Sequence, residues 1–253
     1  MTKLIKALIA ITITLSTIYC GIWFGTAYLI NNALSDMQKK SHIAFNPAPN
    51  NISGFPFWPK LVYTGKITTP SFTIQAENMS MTGIAQMDQV KLNLTFPSGF
   101  KIADHYTRKS HKFDKGHVKL TAPYPLPHGD NKKAMQQWQS DNGEIHISSL
   151  HLKKDKTQIT GSGIIGLDRD LQIQGKINLS IQGYQDLLGE LNKAGIISNK
   201  HVGLAQNILG SLFGGTQTKV KEKAFKTPLI IKKRNVYIGP IKIAKLQKIK
   251  WKD

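Results

Sequence analysis

The feature that most constrains this chain is a run of 24 residues without a charge, Ala7–Ile30. At about 1.5 Å of rise per residue, a helix of this length measures roughly 36 Å, which is enough to cross the apolar core of a bilayer. Secretory signal peptides have a shorter apolar region, of about 7–15 residues, before a small-residue cleavage site. Gly25-Thr26-Ala27 comes nearest to such a site, so cleavage stays open as an alternative. The run predicts an uncleaved transmembrane helix.

The charges on either side of this run predict its orientation. Lys3 and Lys6 directly precede it, whereas Lys39 and Lys40 follow only after an interval. Because basic residues close to a transmembrane helix are retained in the cytoplasm, we expect the N-terminus inside and the body of the chain outside. The expected division is a cytoplasmic tail at 1–6, a transmembrane helix at 7–30, a linker at 31–50 and one β-rich domain at 51–253.

The net charge limits the partners of the chain. Lys and Arg number 34 against 15 Asp and Glu, a formal charge of +19. Such a field attracts polyanions, whether nucleic acid, anionic lipid headgroups or the phosphates of lipopolysaccharide. The excess is greatest between Lys219 and Lys252, where 12 basic residues stand against one acidic residue, Glu222.

Alternation of apolar and polar residues dominates the body and predicts strands with one solvated face. The longest alternating run extends from Leu171 to Gln182. Asp168-Arg169-Asp170 separates it from Ile159–Leu167, which predicts a hairpin. A second hairpin is expected to turn at Lys232–Asn235. Within Gly143–Leu152 the apolar positions change parity, which predicts a β-bulge at Ser148-Ser149.

A helical period replaces the alternation at Tyr184. Apolar spacing predicts one helix over 184–195, ended by Gly195, and a second over 199–213. Each helix is apolar on one side only, so both are expected to pack on the sheet. The fold class expected is α+β: a transmembrane helix, then a curved, mainly antiparallel sheet with a two-helix insertion.

Other segments are expected to stay irregular. Gly54–Pro59 contains two prolines and three aromatic residues, which predicts an ordered loop that plugs one end of the core. Residues 104–116 and 123–141 are polar and predict surface excursions.

The order of these landmarks resembles a proteobacterial envelope family known as domain of unknown function 2125. The resemblance covers roughly residues 45–252. It rests on Gly54–Phe57, Gly161–Gly163, Asp168 with Asp170, Gln182–Tyr184 and Val236–Pro240, in that order. It implies an uncharacterised membrane-anchored protein in the bacterial inner membrane, with its body in the periplasm and no catalytic residues to carry over.

No motif in the sequence indicates catalysis or a bound cofactor. Six histidines lie between His105 and His151, but their spacing does not fit metal ligands on one element. Asp168 and Asp170 flank a turn, where Asp is favoured for its local hydrogen bonds. Signatures of nucleophilic serines, phosphate loops and dinucleotide sites are absent from the sequence. We therefore expect no enzyme, no metal and no cofactor.

The basic C-terminal region is the best functional lead. Interleaved lysines and apolar residues suit an anionic membrane surface, while lysines that protect a sheet edge are the alternative explanation. The residues expected to meet an anionic membrane or partner are Lys232, Lys233, Arg234, Lys242, Lys245, Lys248 and Trp251.

These observations favour a non-catalytic, membrane-anchored envelope protein that binds lipid or an envelope partner. The alternative is a scaffolding protein that organises an inner-membrane complex through its basic face. The expected partners are the inner membrane, through residues 7–30, and anionic lipid or lipopolysaccharide. Nucleic acid is not expected, because it would require a cytoplasmic body. The oligomeric state is left open.

Overall fold

The fold is taken from a computed structural model of the chain. It describes residues 13–21, 23–28, 30–32, 35, 44–47, 52–55, 59–69, 72–85, 88–105, 108, 110–123, 131–193, 203 and 224–251.

The body is one sheet of 14 strands. They are β1 (Ala44–Asn46), β2 (Ile52–Ser53), β3 (Lys60–Thr68), β4 (Phe72–Ala85), β5 (Gln89–Phe96), β6 (Phe100–Asp104), β7 (Ser110–Phe113), β8 (Lys115–Pro123), β9 (Glu144–Lys154), β10 (Thr157–Leu167), β11 (Ile173–Gln182), β12 (Phe225–Lys232), β13 (Asn235–Ile238) and β14 (Ile241–Lys245). Their order is β1-β3-β4-β5-β8-β9-β10-β11-β12-β13-β14, with β2 paired to β3, β6 to β4, and β7 to β6. Every pairing is antiparallel, as the sequence predicts, and the sheet is not closed.

The register gives the sheet one apolar face and one polar face. Residues directly opposite each other on neighbouring strands point to the same side. Ile159 lies opposite both Ile181 and Leu152, and Ile177 lies opposite Leu229. The alternation predicted from Leu171 to Gln182 is confirmed within β11: Ile177, Leu179 and Ile181 are buried, whereas Lys176 and Asn178 are exposed. It was wrong for Leu171 and Gln172, which precede the strand and are both buried.

Irregularities in the ladder fall where the sequence predicts them. The register shifts between Gly161 and Gly163, opposite the Ser148-Ser149 step of β9, and this confirms the predicted bulge. The glycines allow close packing at this point. A Cβ on Gly161 would come within 2.8 Å of the Leu179 side chain and 2.9 Å of the Asn178 carbonyl oxygen. Glycine in this strand therefore marks backbone proximity rather than a phosphate loop.

Two separate hydrophobic cores form on the apolar face. The first contains the buried residues Tyr63, Ala76, Met79, Phe96 and Phe100. The second contains the buried residues Ile177, Leu179, Ile181 and Tyr184.

In the part of the chain that the structure describes, three helices with defined bounds accompany the sheet: α1 (Ile13–Asn32), α2 (Lys132–Ser140) and α3 (Tyr184–Lys193). α1 is long and apolar enough to span a membrane, although a signal sequence would share these properties. α3 confirms the first predicted helix and packs Leu188 against the second core. The second helix expected over 199–213 lies outside the described residues except for Gly203, and so does most of the expected two-helix insertion.

The segments expected to be surface excursions, 104–116 and 123–141, each contain a regular element that the sequence did not predict. Strand β7 lies in the first and pairs with β6. Helix α2 lies in the second, and begins after Asn131, whose side chain accepts a hydrogen bond from the Ala134 N–H at 3.2 Å. None of the α2 residues is buried. Its apolar residues, Ala134, Met135 and Trp138, lie on one side of the helix but are only three, so the helical period is short.

The expectation that the aromatic loop plugs the core was wrong for Phe55. Its side chain is 52% exposed, and its ring contacts Trp23 and Phe24 of α1 rather than either core. Phe57 and Trp58 lie outside the described residues. The position of α1 beside this loop could not be inferred from local pattern.

Candidate functional site

The apolar face includes a strip of aliphatic side chains that belongs to neither core. Each of these residues is half-buried, and each lies within four positions of the end of its strand. The strip consists of Val90, Leu92, Leu120, Ile145, Leu167, Ile173 and Ile231. We call this set the apolar strip. Its residues lie on β5 and on β8 to β12.

The strip follows one margin of the sheet. Tracing the register from strand to strand, this margin includes the loop after β2, which contains Phe55, the connection between β8 and β9, which contains α2, and the connections at 168–172 and 233–234. We call it the Phe55 margin. Both cores lie toward the opposite margin, where α3 covers the second of them. Among the described residues at the Phe55 margin, Leu61, Ala122 and Leu171 are buried, whereas the members of the apolar strip are half-buried.

The chain end is fastened across the Phe55 margin. The Gln172 side chain accepts a hydrogen bond from the Ile249 N–H at 2.8 Å and donates one to the Ile249 carbonyl at 3.2 Å. The indole N–H of Trp251 donates to the Leu171 carbonyl at 2.9 Å. Gln172 is only 6% exposed, so these bonds satisfy a buried amide. These bonds thus join the tail, residues 246–251, to the turn at 168–172, almost 80 positions earlier in the sequence.

The turn that presents Gln172 is shaped by Asp168. Its carboxylate accepts hydrogen bonds from the N–H groups of Asp170 and Gln172, both at 2.9 Å. Leu171 adopts a left-handed conformation, with φ of 56°, and is 5% exposed. The structural role predicted for the aspartates, local hydrogen bonding at the turn, is confirmed for Asp168.

The predicted basic site is divided between a hairpin turn, a strand and the tail. Lys233 and Arg234 occupy the two central positions of the β12–β13 turn, with φ of 49° and 63°. Two successive left-handed residues define a type I′ turn, which favours Asn-Gly. A Lys-Arg pair at these positions carries backbone strain, and residues retained under strain often serve a function. Lys232 lies exposed beside them and pairs with Asn235.

A second irregularity places two of the predicted lysines on one face. The register of β13 and β14 shifts, so that Lys242 lies opposite Tyr237 and Lys245 lies opposite Asn235. Both lysines therefore point to the polar face, although regular alternation would separate residues three positions apart. In the tail, Lys248 is exposed, while Trp251 is half-buried through its bond to the turn. Whether these side chains bind an anionic surface stays a prediction.

The sequence profile of the DUF2125 family, described as an uncharacterised protein conserved in bacteria, matches residues 64–247, about three quarters of the chain. The chain belongs to this family. No curated protein and no solved structure matches it. The matched region includes every strand that contributes to the apolar strip and stops within the fastened tail.

The polar face of this DUF2125 domain contains an open depression of about 580 Å³ across β9–β12. Small polar side chains line much of it, among them Ser149, Thr160, Ser162 and Ser180, with Lys226 at one side. No carboxylate occurs among the described residues that line it. The depression therefore offers hydrogen bonds but lacks the carboxylate pair that acid–base hydrolysis commonly uses.

The described histidines do not assemble into a reactive centre. Burial lowers the pKa of His117, and the neighbouring Lys119 and His151 lower it further. His146 lies 3.7 Å from Glu144, but both side chains are about half exposed, so solvent screens the pair. Among the described residues, no three His, Cys, Asp or Glu come together as metal ligands would.

Sequence reasoning missed the apolar strip and Gln172. Each strip residue was predicted as part of its own strand. That these residues together stay half-buried depends on how the strands pack with other elements, which the pattern within one strand does not show. Gln172 reads as one of several polar residues on an alternating strand. No local signal distinguishes it, since its partner Ile249 lies 77 positions away.

Replacing Gln172 by Ala should release the tail. The change removes both hydrogen bonds and leaves backbone groups of Ile249 unpaired, at a cost of about 1–3 kcal/mol. Amide hydrogens in 246–251 should therefore exchange roughly tenfold faster or more, as measured by mass spectrometry. Gln174→Ala is the control, because Gln174 is exposed and bonds only to the Leu167 carbonyl. Unchanged exchange in Gln172→Ala would show that Gln172 does not fasten the tail.

Proposed function

We propose that this chain is a non-catalytic, membrane-anchored envelope protein that binds an anionic lipid on the apolar strip. The observation that carries the proposal is the strip itself: seven half-buried aliphatic side chains on one face along one margin, outside both cores. Two pairs of them lie directly opposite each other, Leu92 with Leu120 and Leu167 with Ile173. Aliphatic side chains offer acyl chains a surface without hydrogen-bonding demands. They supply no proton donor or nucleophile, which is why the proposal is non-catalytic.

The charge around the strip supports an anionic headgroup. Lys233 and Arg234 lie at the same margin, and the fastened tail brings Lys248 and Lys250 across it. Each Lys or Arg close to an anionic surface contributes about 1 kcal/mol, over a screening distance of about 8–10 Å. An apolar surface bordered by cations matches a molecule with acyl chains and a phosphate.

Scaffolding through the polar face is the second candidate. Exposed lysines are distributed along that face from β5 to β12, at Lys91, Lys119, Lys176 and Lys226. This arrangement suits an acidic protein partner, which would bind without occupying the strip. The two candidates differ in one measurable result. Lipid binding that weakens when the strip is changed supports the first candidate, and its absence supports the second.

The anchor proposed is α1, uncleaved, in the inner membrane. With Lys3 and Lys6 retained in the cytoplasm, the sheet lies in the periplasm. Alkaline phosphatase fused after residue 60 should therefore be active, because that enzyme folds only outside the cytoplasm. An inactive phosphatase together with an active cytoplasmic reporter at the same point would reverse the topology.

Leu120→Asn should weaken lipid binding. It places an amide in the middle of the strip, and losing part of the apolar contact of one leucine reduces affinity by about tenfold. Phospholipid that copurifies with the full chain is measured by mass spectrometry, and affinity is measured with a fluorescent anionic lipid. Lys119→Asn is the matched control, since this neighbour points to the polar face. Equal lipid in both variants would exclude the strip as the binding surface.

Replacing Lys233 and Arg234 by Asn and Gly should raise stability while weakening membrane binding. The new pair relieves two left-handed residues and should stabilise the fold by about 1 kcal/mol. Loss of two charges should reduce binding of fragment 41–253 to anionic vesicles by roughly tenfold or more.

The control for this variant removes equal charge elsewhere. Lys115→Asn with Lys156→Asn changes two exposed lysines at the opposite margin. Its vesicle binding should fall less in sedimentation assays. If both double variants lose binding equally, net charge alone explains the attraction and the turn has no special part in it.

A further inference from the structure

Phe55 is an exposed aromatic residue with an unusual neighbour. It lies in the loop between β2 and β3 and is 52% exposed. Its ring centroid lies 5.5 Å from that of Trp23, nearly perpendicular, and 6.1 Å from that of Phe24, nearly parallel. Edge and offset contacts of this kind are favourable aromatic geometries. The loop therefore holds α1 through one specific contact.

This contact covers a single position of the helix. Trp23 is 8% exposed and is buried, whereas no other described side chain of α1 is. Phe24 and Tyr28 remain 62% and 66% exposed. Around this contact, exposed apolar side chains of the loop and of the helix form one outward-facing surface. Such a surface would be unfavourable in water and favourable among acyl chains.

The position of Trp23 along α1 determines how deep the loop that contains Phe55 would lie in a bilayer. The apolar run ends at Ile30, before Asn31 and Asn32 and seven residues after Trp23. At 1.5 Å per residue, the contact lies about 10 Å inside that end of the run. If α1 spans the bilayer, Phe55 is below the headgroups of the leaflet from which the body emerges.

We propose that Phe55 inserts into the acyl region of this leaflet beside α1. The inference rests on the proposed anchor and deepens it, because the margin that bears Phe55 also bears the apolar strip. The lipid that occupies the strip would then come from the same leaflet. The partner is the bilayer, recognised by aromatic and aliphatic surface rather than by charge.

A fluorescent label at position 55 tests the insertion. In the full chain, Cys20→Ser removes the one native thiol, and Phe55→Cys provides a site for an environment-sensitive nitrobenzoxadiazole label. The protein is reconstituted in vesicles of phosphatidylethanolamine and phosphatidylglycerol. Phe72→Cys is the control, because Phe72 is also exposed, at 38%, but begins β4 at the opposite margin.

Emission from position 55 should be blue-shifted, and lipids spin-labelled on the acyl chain should quench it several-fold more than emission from position 72. Iodide in the aqueous phase should quench emission from position 72 more strongly than emission from position 55. Reaction of the unlabelled thiols with a charged maleimide gives a second measurement, in which position 55 should react more slowly.

The failure of the anchor and the failure of the insertion differ in outcome. An intact, membrane-embedded chain whose position 55 is as accessible to water as position 72 would overturn the insertion and leave the anchor standing. A chain that has lost its N-terminal residues, or that alkaline carbonate releases from the membrane, would overturn the anchor and the insertion with it.

Discussion

The structure depends on the in-register alignment of apolar residues across a single antiparallel sheet. Every strand has alternating sides, so aligning them collects most apolar side chains on one face, although Ile164 and Ile230 lie beside Lys176 on the other. A stable domain must cover such a face with a second layer. Here the described cover includes the two cores and α3 toward one margin, and the fastened tail at the Phe55 margin. Among the described residues, the members of the apolar strip remain half-buried.

The two cores belong to different strands of the sheet. The buried residues of the first lie on β3 to β6, and those of the second lie on β11 and at the start of α3. The bulge at Ser148-Ser149 bends β9 and increases its local twist, but it does not divide the cores. Ile147 and Leu150, on either side of the bulge, both pack against the second core, and Leu152 packs against the first. Strand β9 is therefore where the two cores meet.

Local pattern was enough to predict the elements whose causes are local. The alternation ending at Gln182, the hairpin at Asp168 and the turn at Lys233 depend on residues within a few positions of each other, and all three are present. The contacts between Gln172 and Ile249 and between Phe55 and Trp23 join distant segments of sequence. No periodicity encodes such pairings. The assignment of Phe55 to the core failed for this reason: its aromatic character predicts burial but does not identify the surface that buries it.

The candidate site is built from features that are costly unless they serve binding. Lys233 and Arg234 hold left-handed conformations that Asn and Gly would adopt with less strain. The side-chain amide of Gln172 is buried and pairs with the backbone N–H and carbonyl of Ile249 in the tail. Phe55 exposes an aromatic ring beside an apolar helix. Each feature lies at the margin that bears the apolar strip. Stability alone does not account for a strained turn and an exposed aromatic ring, so their occurrence at one margin supports the proposal that lipid binds there.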